Sequence, residues 1–223
     1  LLEVVEAASA ASARDDVAVI VTPPALDVEA VKRAGPNLWI FAQAMDLARP
    51  GASTGAILPE ALAAVGADGV MLNHAERPLE HAQLPQAVEQ ARTAGLQTLL
   101  CAEDVAQATR FAAWGPDVIL LEPHELIGTA HHSHRPWIGP ANAAVAEVDP
   151  RVLVMHAGGV ADERDVRAIL AQGATGTGCT SAIVRAADRR VTIERMIRAV
   201  REGWDARDEL VASTTTNDGS ETQ

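Results

Sequence analysis

The stretch AGLQTLLCAEDVAQATRFAAWGPDVILLE, residues 94–122, decides the fold class of this 223-residue chain. Its apolar runs at 97–101 and 118–121 predict two strands, and the amphipathic segment 105–113 between them predicts a helix. A glycine stands shortly before each strand, where it can supply the left-handed conformation that ends a helix. Apolar strand runs that alternate with helices predict a parallel sheet with both faces covered.

The same unit recurs along the chain. Strands are predicted at 17–21, 38–42, 69–72, 97–101, 118–121, 152–155 and 176–179. Helices are predicted at 1–12, 28–34, 58–65, 83–94, 105–113, 141–148, 163–171 and 192–204. This recurrence favours a closed (β/α)₈ barrel over a doubly wound sheet. A dinucleotide fingerprint is not predicted, because Gly173, Gly176 and Gly178 precede or lie within a strand.

Length and composition predict one barrel domain over residues 1–212 and a disordered polar tail over 213–223. The net charge of −12 argues against a nucleic-acid partner. No run in the sequence is long and apolar enough to predict a membrane span. Cys101 and Cys179 lack the spacing of a disulfide framework or a zinc site, which favours a cytoplasmic location.

Two predicted strand ends carry groups that could transfer protons. His74 follows the strand at 69–72, and Glu122 follows the strand at 118–121, where partial desolvation would raise its basicity. Active sites of such barrels lie at the carboxyl ends of the strands, so we predict that the two residues form one site. A capping or packing role for the histidine and a structural ion pair for the glutamate are the open alternatives.

Small residues follow the last two predicted strands, at 157–160 and 180–182. Backbone N–H groups in such turns can approach phosphate oxygens, and this end of the barrel is the usual phosphate site of the fold. The alternative is that the glycines only close the barrel. The cluster at 131–134, with three histidines, has no acidic or cysteine partner at ligand spacing, so no metal is predicted.

Taken together, these motifs resemble the short, archaeal-type triosephosphate isomerases, a TIM-barrel family, from about residue 17 to residue 187. The matching segments are 41–43, 51–55, 58–60, 72–77, 95–102 and 122–129. The resemblance implies interconversion of dihydroxyacetone phosphate and glyceraldehyde 3-phosphate through an enediol(ate), a step of glycolysis and gluconeogenesis, with no cofactor. It implies Glu122 as the base and His74 as the neutral electrophile, which are the family's known roles.

The resemblance also implies a phosphate site, a lid and an oligomer. The lid would run from residue 127 onward. The positions that match the family's phosphate-binding backbone are Ile127, Gly128, Gly159, Thr180 and Ser181. Asn73 and Glu76 would support the site, and Thr54 lies on the loop that reaches a neighbouring subunit in the family, which implies a homodimer or homotetramer.

One feature of the family has no counterpart in this chain. The family's first strand carries an Asn and a Lys, whereas here the sequence opens in a predicted helix. The chain is therefore expected to be either an N-terminally truncated isomerase or a diverged, catalytically weak sugar-phosphate-binding paralogue. Another phosphate-binding barrel, such as an epimerase or synthase, would explain the stretch 158–182 but not the motifs at 73–77 and 122–129.

Overall fold

The computed structural model describes residues 1–127 and 134–217. The strands are β1 (Ile20–Val21), β2 (Trp39–Ala42), β3 (Gly69–Leu72), β4 (Gln97–Ala102), β5 (Val118–Leu121) and β6 (Leu153–His156). The helices are α1 (Leu2–Asp15), α2 (Val28–Ala34), α3 (Pro59–Ala64), α4 (Leu84–Thr93), α5 (Val105–Ala112), α6 (Ile138–Val148), α7 (Glu163–Ala171), α8 (Ser181–Val184) and α9 (Arg189–Asn217). Single 3₁₀ turns occupy Ala25–Asp27, His81–Gln83 and His124–Leu126.

The six strands form one parallel sheet in the order β1-β2-β3-β4-β5-β6. A doubly wound sheet reverses its strand order at a switch point, whereas a barrel adds each strand beside the previous one. The observed order is therefore that of a (β/α)₈ barrel wall. In this order β4 lies between β3 and β5, with Leu72 opposite Leu100 and Ala102 opposite Leu121, so the carboxyl ends of β3 and β5 flank the end of β4.

The two faces of the sheet bury different sets of side chains. One face packs against the helices, and its strand residues Ile40, Leu100 and Ile119 are fully buried in the main core. The other face carries a second apolar cluster built on Phe41 and Leu99. Since successive strand residues point to opposite faces, these two clusters correspond to the outer and inner walls of a barrel.

Glycines follow several helices, as the sequence predicted. Gly66, Gly95, Gly115 and Gly173 each follow a helix and each have a positive φ, between 64° and 99°. Asp162 begins α7 with a reciprocal capping box in which its side chain accepts from the backbone of Asp165 and the Asp165 side chain accepts from the backbone of Asp162. These local signals set where each helix stops before the next strand.

Two predicted strands differ from the observed ones. The segment 176–179 forms only an isolated parallel bridge between Gly176 and Met155 in the described part of the chain. Two glycines in four residues disfavour an extended ladder, so the prediction of a seventh full strand was wrong. The segment 17–21 pairs with β2 only over Ile20–Val21.

The last helix, α9, contacts helices from both ends of the chain. Helix α9 packs against both α7 and α1, and Arg201 of α9 donates from Nε to the carbonyl of Asp15 at 3.2 Å. The predicted domain boundary at residue 212 falls within α9, and residues 218–223 lie outside the described range, so the disordered tail stays a prediction. None of the helices among the described residues has the length and hydropathy needed to cross a membrane.

Candidate active site

Asn73 shapes the chain directly after β3. It has φ +61°, a left-handed conformation that Asn tolerates better than most residues. Its side-chain amide donates to the carbonyl of Cys101 at 3.0 Å, and its Oδ1 accepts from the N–H of Leu79 at 3.1 Å. The end of β3 is thereby tied to β4 and to its own following loop, and this fixes the backbone on which His74 stands.

The His74 ring is oriented by the backbone of its own loop. Its Nδ1 accepts from the N–H of Glu76 at 3.2 Å. A neutral imidazole that accepts at Nδ1 carries its proton on Nε2, and Nε2 lies 3.8 Å from Oε2 of Glu122. This distance exceeds hydrogen-bond length, so the Nε2–H group faces the carboxylate and remains available to donate to another acceptor. The supporting part of Glu76 is its main chain, since the residue is exposed.

Glu122 follows β5 and is largely withdrawn from solvent, with its side chain 17% exposed. Burial raises the pKa of its carboxyl, while His74, the Gly158 N–H group, His124 and Arg135 oppose that rise. A carboxylate that is both desolvated and hydrogen-bonded is a stronger base than an exposed one and is still held in one orientation. The predicted pair therefore comes together across the end of β4.

The turn after β6 approaches Glu122 from the other side. Gly158 and Gly159 both have left-handed backbones, with φ of +81° and +70°, and both are buried. The N–H of Gly158 is directed at the Glu122 carboxylate and favours its charged form. A Cβ at Gly158 would stand 3.3 Å from Cγ of Glu122, so a larger residue at this position would push against the Glu122 side chain.

Arg135 is a site residue that the sequence did not reveal. The residue is 2% exposed, and its guanidinium donates to the carbonyls of Ala157 at 2.9 Å and Gly158 at 2.6 Å. It belongs to a polar, histidine-rich segment whose composition resembles an exposed loop, and its neighbours His134 and Pro136 are indeed exposed. Trp137 follows two residues later, with its ring 5.9 Å from the guanidinium. An aromatic residue at this spacing is the local sequence signal that the arginine is packed.

A cavity of about 250 Å³ opens beside Glu122. Asn73 and Ala75, the two neighbours of His74, contribute to its wall, as do Glu122 and Ile127. Ile127 ends the described segment, with its N–H donating to the carbonyl of His124 at 3.2 Å. Gly128 and the rest of the predicted lid up to residue 133 lie outside the described residues.

The other predicted positions lie away from the cavity wall. Thr180 precedes the single-turn helix α8 and is exposed, whereas Ser181 is half-buried at the start of that helix. Thr54 occupies an exposed turn between β2 and α3. Of the predicted histidine cluster, only His134 falls within the described residues. Over the described ranges, no group of three metal-binding side chains is close enough to hold an ion.

His156 lies at the end of β6, just before the glycine turn, and is fully buried. Its Nε2 is 2.9 Å from Oδ1 of Asn142, and its Nδ1 has no hydrogen-bond partner among the described residues. Burial, with a smaller contribution from Arg135, lowers the pKa of His156 to about 4. The imidazole is therefore neutral at ordinary pH and serves as packing behind the turn.

A parallel barrel wall with an imidazole and a desolvated carboxylate at its strand ends defines the class: a TIM-barrel enzyme built for proton transfer. The family model for triosephosphate isomerase matches residues 1–200. The chain therefore belongs to the triosephosphate isomerase family, as the sequence motifs predicted.

Archaeal relatives agree with this assignment. The chain is 32% identical to a triosephosphate isomerase of Methanopyrus kandleri over 200 residues, which cover 88% of each chain. It is 35% identical to that of Pyrobaculum islandicum over 190 residues, covering 84% of this chain and 82% of the relative. The predicted isomerase class is confirmed, and an epimerase or synthase is not favoured.

A solved structure supports the fold independently. The crystal structure of triosephosphate isomerase from Bartonella henselae superposes with a TM-score of 0.71, covering 90% of this chain and 92% of that one at 17% sequence identity. At this low identity the likeness bears on the fold alone, and it confirms the predicted TIM barrel.

Proposed function

We propose that this chain interconverts dihydroxyacetone phosphate and glyceraldehyde 3-phosphate, with Glu122 as the base and His74 as the electrophile. The observation that carries the proposal is the pair itself: Nε2 of His74 lies 3.8 Å from the Glu122 carboxylate, which is largely withdrawn from solvent, and Nδ1 of His74 accepts from the N–H of Glu76. Family membership supplies the phosphorylated triose as the substrate.

Two side chains carry the proposed proton transfers on an oriented substrate. The Glu122 carboxylate removes a proton from the carbon beside the carbonyl, and the electron pair moves onto the carbonyl oxygen. The Nε2–H of His74 donates to that oxygen and stabilises the developing enediolate. A proton then passes from the hydroxyl oxygen on the first carbon to the former carbonyl oxygen, with the His74 imidazole beside both oxygens, and the carboxyl returns its proton to the carbon that carried the carbonyl, which converts the ketose into the aldose or the reverse.

Phosphate binding is assigned to backbone amides, and Gly159 is one of the proposed donors. Gly159 adjoins Gly158, whose own N–H already contacts Glu122, so a phosphate held there would place the reacting carbons within reach of the carboxylate. Ile127, Gly128, Thr180 and Ser181 complete the proposed phosphate site. Amide donors suit a chain of net charge −12, because their N–H dipoles bind an anion locally and no cationic side chain is needed.

The proposal also includes a cytoplasmic homodimer or homotetramer. Cys101 and Cys179 are both free thiols, which fits a reducing compartment. The exposed turn that carries Thr54 is the proposed contact with a second copy, and light scattering on the purified chain measures whether that copy is present.

A coupled isomerase assay tests the catalytic roles. Glu122→Asp withdraws the carboxylate by one methylene, about 1 Å, and is expected to lower kcat about 10²-fold with little change in KM. The matched control is Glu125→Asp, because Glu125 is an exposed neighbour on the same turn, and it should keep wild-type rates.

Running the reaction in D₂O provides a second readout. Deuterium from solvent should appear on the carbon beside the carbonyl, since a proton carried by a carboxyl exchanges with water, whereas a direct hydride shift would leave no label. Activity that is at background, or that is indifferent to Glu122→Asp, refutes the proposed function.

A further inference from the structure

Arg135 is a buried cation whose partners are two consecutive carbonyls of the turn that holds the base. Nη1 donates to Ala157 and Nη2 to Gly158, so the planar fork of one guanidinium spans two peptide groups. Arg135 is itself fixed, because its backbone N–H donates to Oε1 of Gln172 at 2.9 Å. The guanidinium therefore contacts the turn from a buried position that is fixed by its own backbone.

The direction of a carbonyl fixes the direction of the amide that shares its peptide group. In a trans peptide the C=O and the N–H point in opposite directions. The Ala157 carbonyl shares a peptide with the N–H of Gly158, and that N–H is directed at the Glu122 carboxylate and favours its charged form. By the same geometry, the Gly158 carbonyl directs the N–H of Gly159, the proposed phosphate donor, away from the guanidinium.

The glycines make this double contact possible. Gly158 and Gly159 have positive φ angles of +81° and +70°, a backbone conformation that glycine adopts without the steric cost a side chain would add. Both carbonyls can then reach one guanidinium. The far end of the turn is held separately, because Oδ2 of Asp165 accepts from the N–H groups of Ala161 at 2.7 Å and Asp162 at 3.2 Å.

We propose that Arg135 is a positioning residue that orients two amides at once, the Gly158 N–H that holds the base and the Gly159 N–H that binds substrate phosphate. This inference rests on the proposed isomerase function. Arg135 would thereby align both parts of the substrate, the reacting carbons and the phosphate. The guanidinium itself is too buried to touch either part.

The charge of Arg135 acts on the same groups. The charged and titratable side chains around Glu122 are His74, His124 and Arg135, with Glu103 3.4 Å from His124 and the buried Cys101 thiol beside the carboxylate. Asp165 faces Arg135 from α7. Removing the guanidinium therefore leaves Glu122 with less positive charge nearby, which should move the acid limb of the activity profile to higher pH.

The experiment compares Arg135→Met, Arg135→Lys and the control Arg151→Met, whose side chain is 86% exposed and pairs only with Asp149 among the described residues. For each variant we measure kcat, KM, the pH profile and the affinity for 2-phosphoglycolate, a small phosphorylated carboxylate. Arg135→Met is expected to lower kcat about 10²-fold and to weaken 2-phosphoglycolate binding about tenfold. Its acid limb should shift to higher pH.

Arg135→Lys separates orientation from charge. An ammonium keeps the positive charge but cannot span both carbonyls in the geometry of the fork. Its acid limb should therefore match the wild type, while kcat and 2-phosphoglycolate affinity stay reduced. Arg151→Met should match the wild type in every measurement.

The outcomes are decisive even if Arg135→Met fails to fold. Wild-type kcat and 2-phosphoglycolate affinity in a folded Arg135→Met variant overturn the proposal, and so do wild-type values in Arg135→Lys. Glu122→Gln distinguishes this failure from that of the isomerase assignment. If Glu122→Gln is inactive while the Arg135 variants are normal, only the role of Arg135 is lost. If Glu122→Gln is active, the proposed function itself fails.

Discussion

Gly158→Ala perturbs the base and the backbone together, and the two effects can be separated. The added Cβ would lie 3.1 Å from Cβ of Leu126 and 3.3 Å from Cγ of Glu122. Carbon atoms pack best at about 3.5–4.0 Å, so the Glu122 side chain must retreat by about 0.2–0.7 Å. A misplacement of about 1 Å can cost about 10²-fold in rate, which predicts a fall in kcat of about three- to thirty-fold.

The backbone cost of Gly158→Ala is independent of that displacement. At φ +81° an alanine pays about 1–2 kcal/mol relative to glycine. A domain of this size loses about 2–4 °C in Tm for each kcal/mol, so Tm should fall by about 2–8 °C. A matched control exists at Gly95, which has the same φ of +81° and, among the described residues, no atom within 4 Å of the place an alanine Cβ would occupy.

Steady-state kinetics and thermal melts of both variants complete the comparison. Gly95→Ala should lower Tm by a similar amount and leave kcat unchanged, whereas Gly158→Ala should lower both. Equal kcat in the two variants would refute the reasoning, since it would mean that the contact between residue 158 and Glu122 does not position the base.

Two further predictions concern pH. The folded-state pKa of Glu122 is raised, so the ionised carboxylate destabilises the fold above that pKa. Glu122→Gln should therefore raise Tm at pH 8. The gain in Tm should shrink as the pH falls, because the wild-type carboxyl then becomes protonated and neutral. A pH-independent gain contradicts this. Burial lowers the pKa of His156 to about 4, so between about pH 6.5 and about pH 4 the unfolded chain takes up the proton and stability falls by up to about 1.4 kcal/mol per pH unit. His156→Gln should flatten this limb in denaturant titrations, and an unchanged limb contradicts the assignment.

The parts of the fold that could be predicted from sequence are those where local signals agree. The run at 118–121 is apolar, lies between a glycine helix stop and a polar motif, and forms β5 over the same residues. The run at 176–179 looks similar by position, but its glycines give it no side chains to pack. It makes one bridge with Met155. Strand formation also depends on the neighbouring strand with which a segment can pair, and the sequence alone does not show that neighbour.

The candidate site divides in the same way. His74 and Glu122 could be found because each directly follows a strand, and parallel strands bring their carboxyl ends to one edge. Arg135 lies well beyond Glu122 along the chain, in a segment of polar composition. Its role depends on two backbone carbonyls after β6, and main-chain carbonyls are present at every residue, so no sequence pattern marks the ones it binds.

The packing of α9 against α1 and α7 has a consequence for the order of folding. Arg201 and Asp15 are 186 residues apart in sequence, so this contact closes a very long loop and forms late. During synthesis α1 emerges before α9 and must wait for it before the face that α9 contacts is covered. We expect the amide protons of α1 and α9 to exchange as one cooperative unit and to be less protected than those of β3 to β5. Local unfolding should then begin at the contact between these two helices.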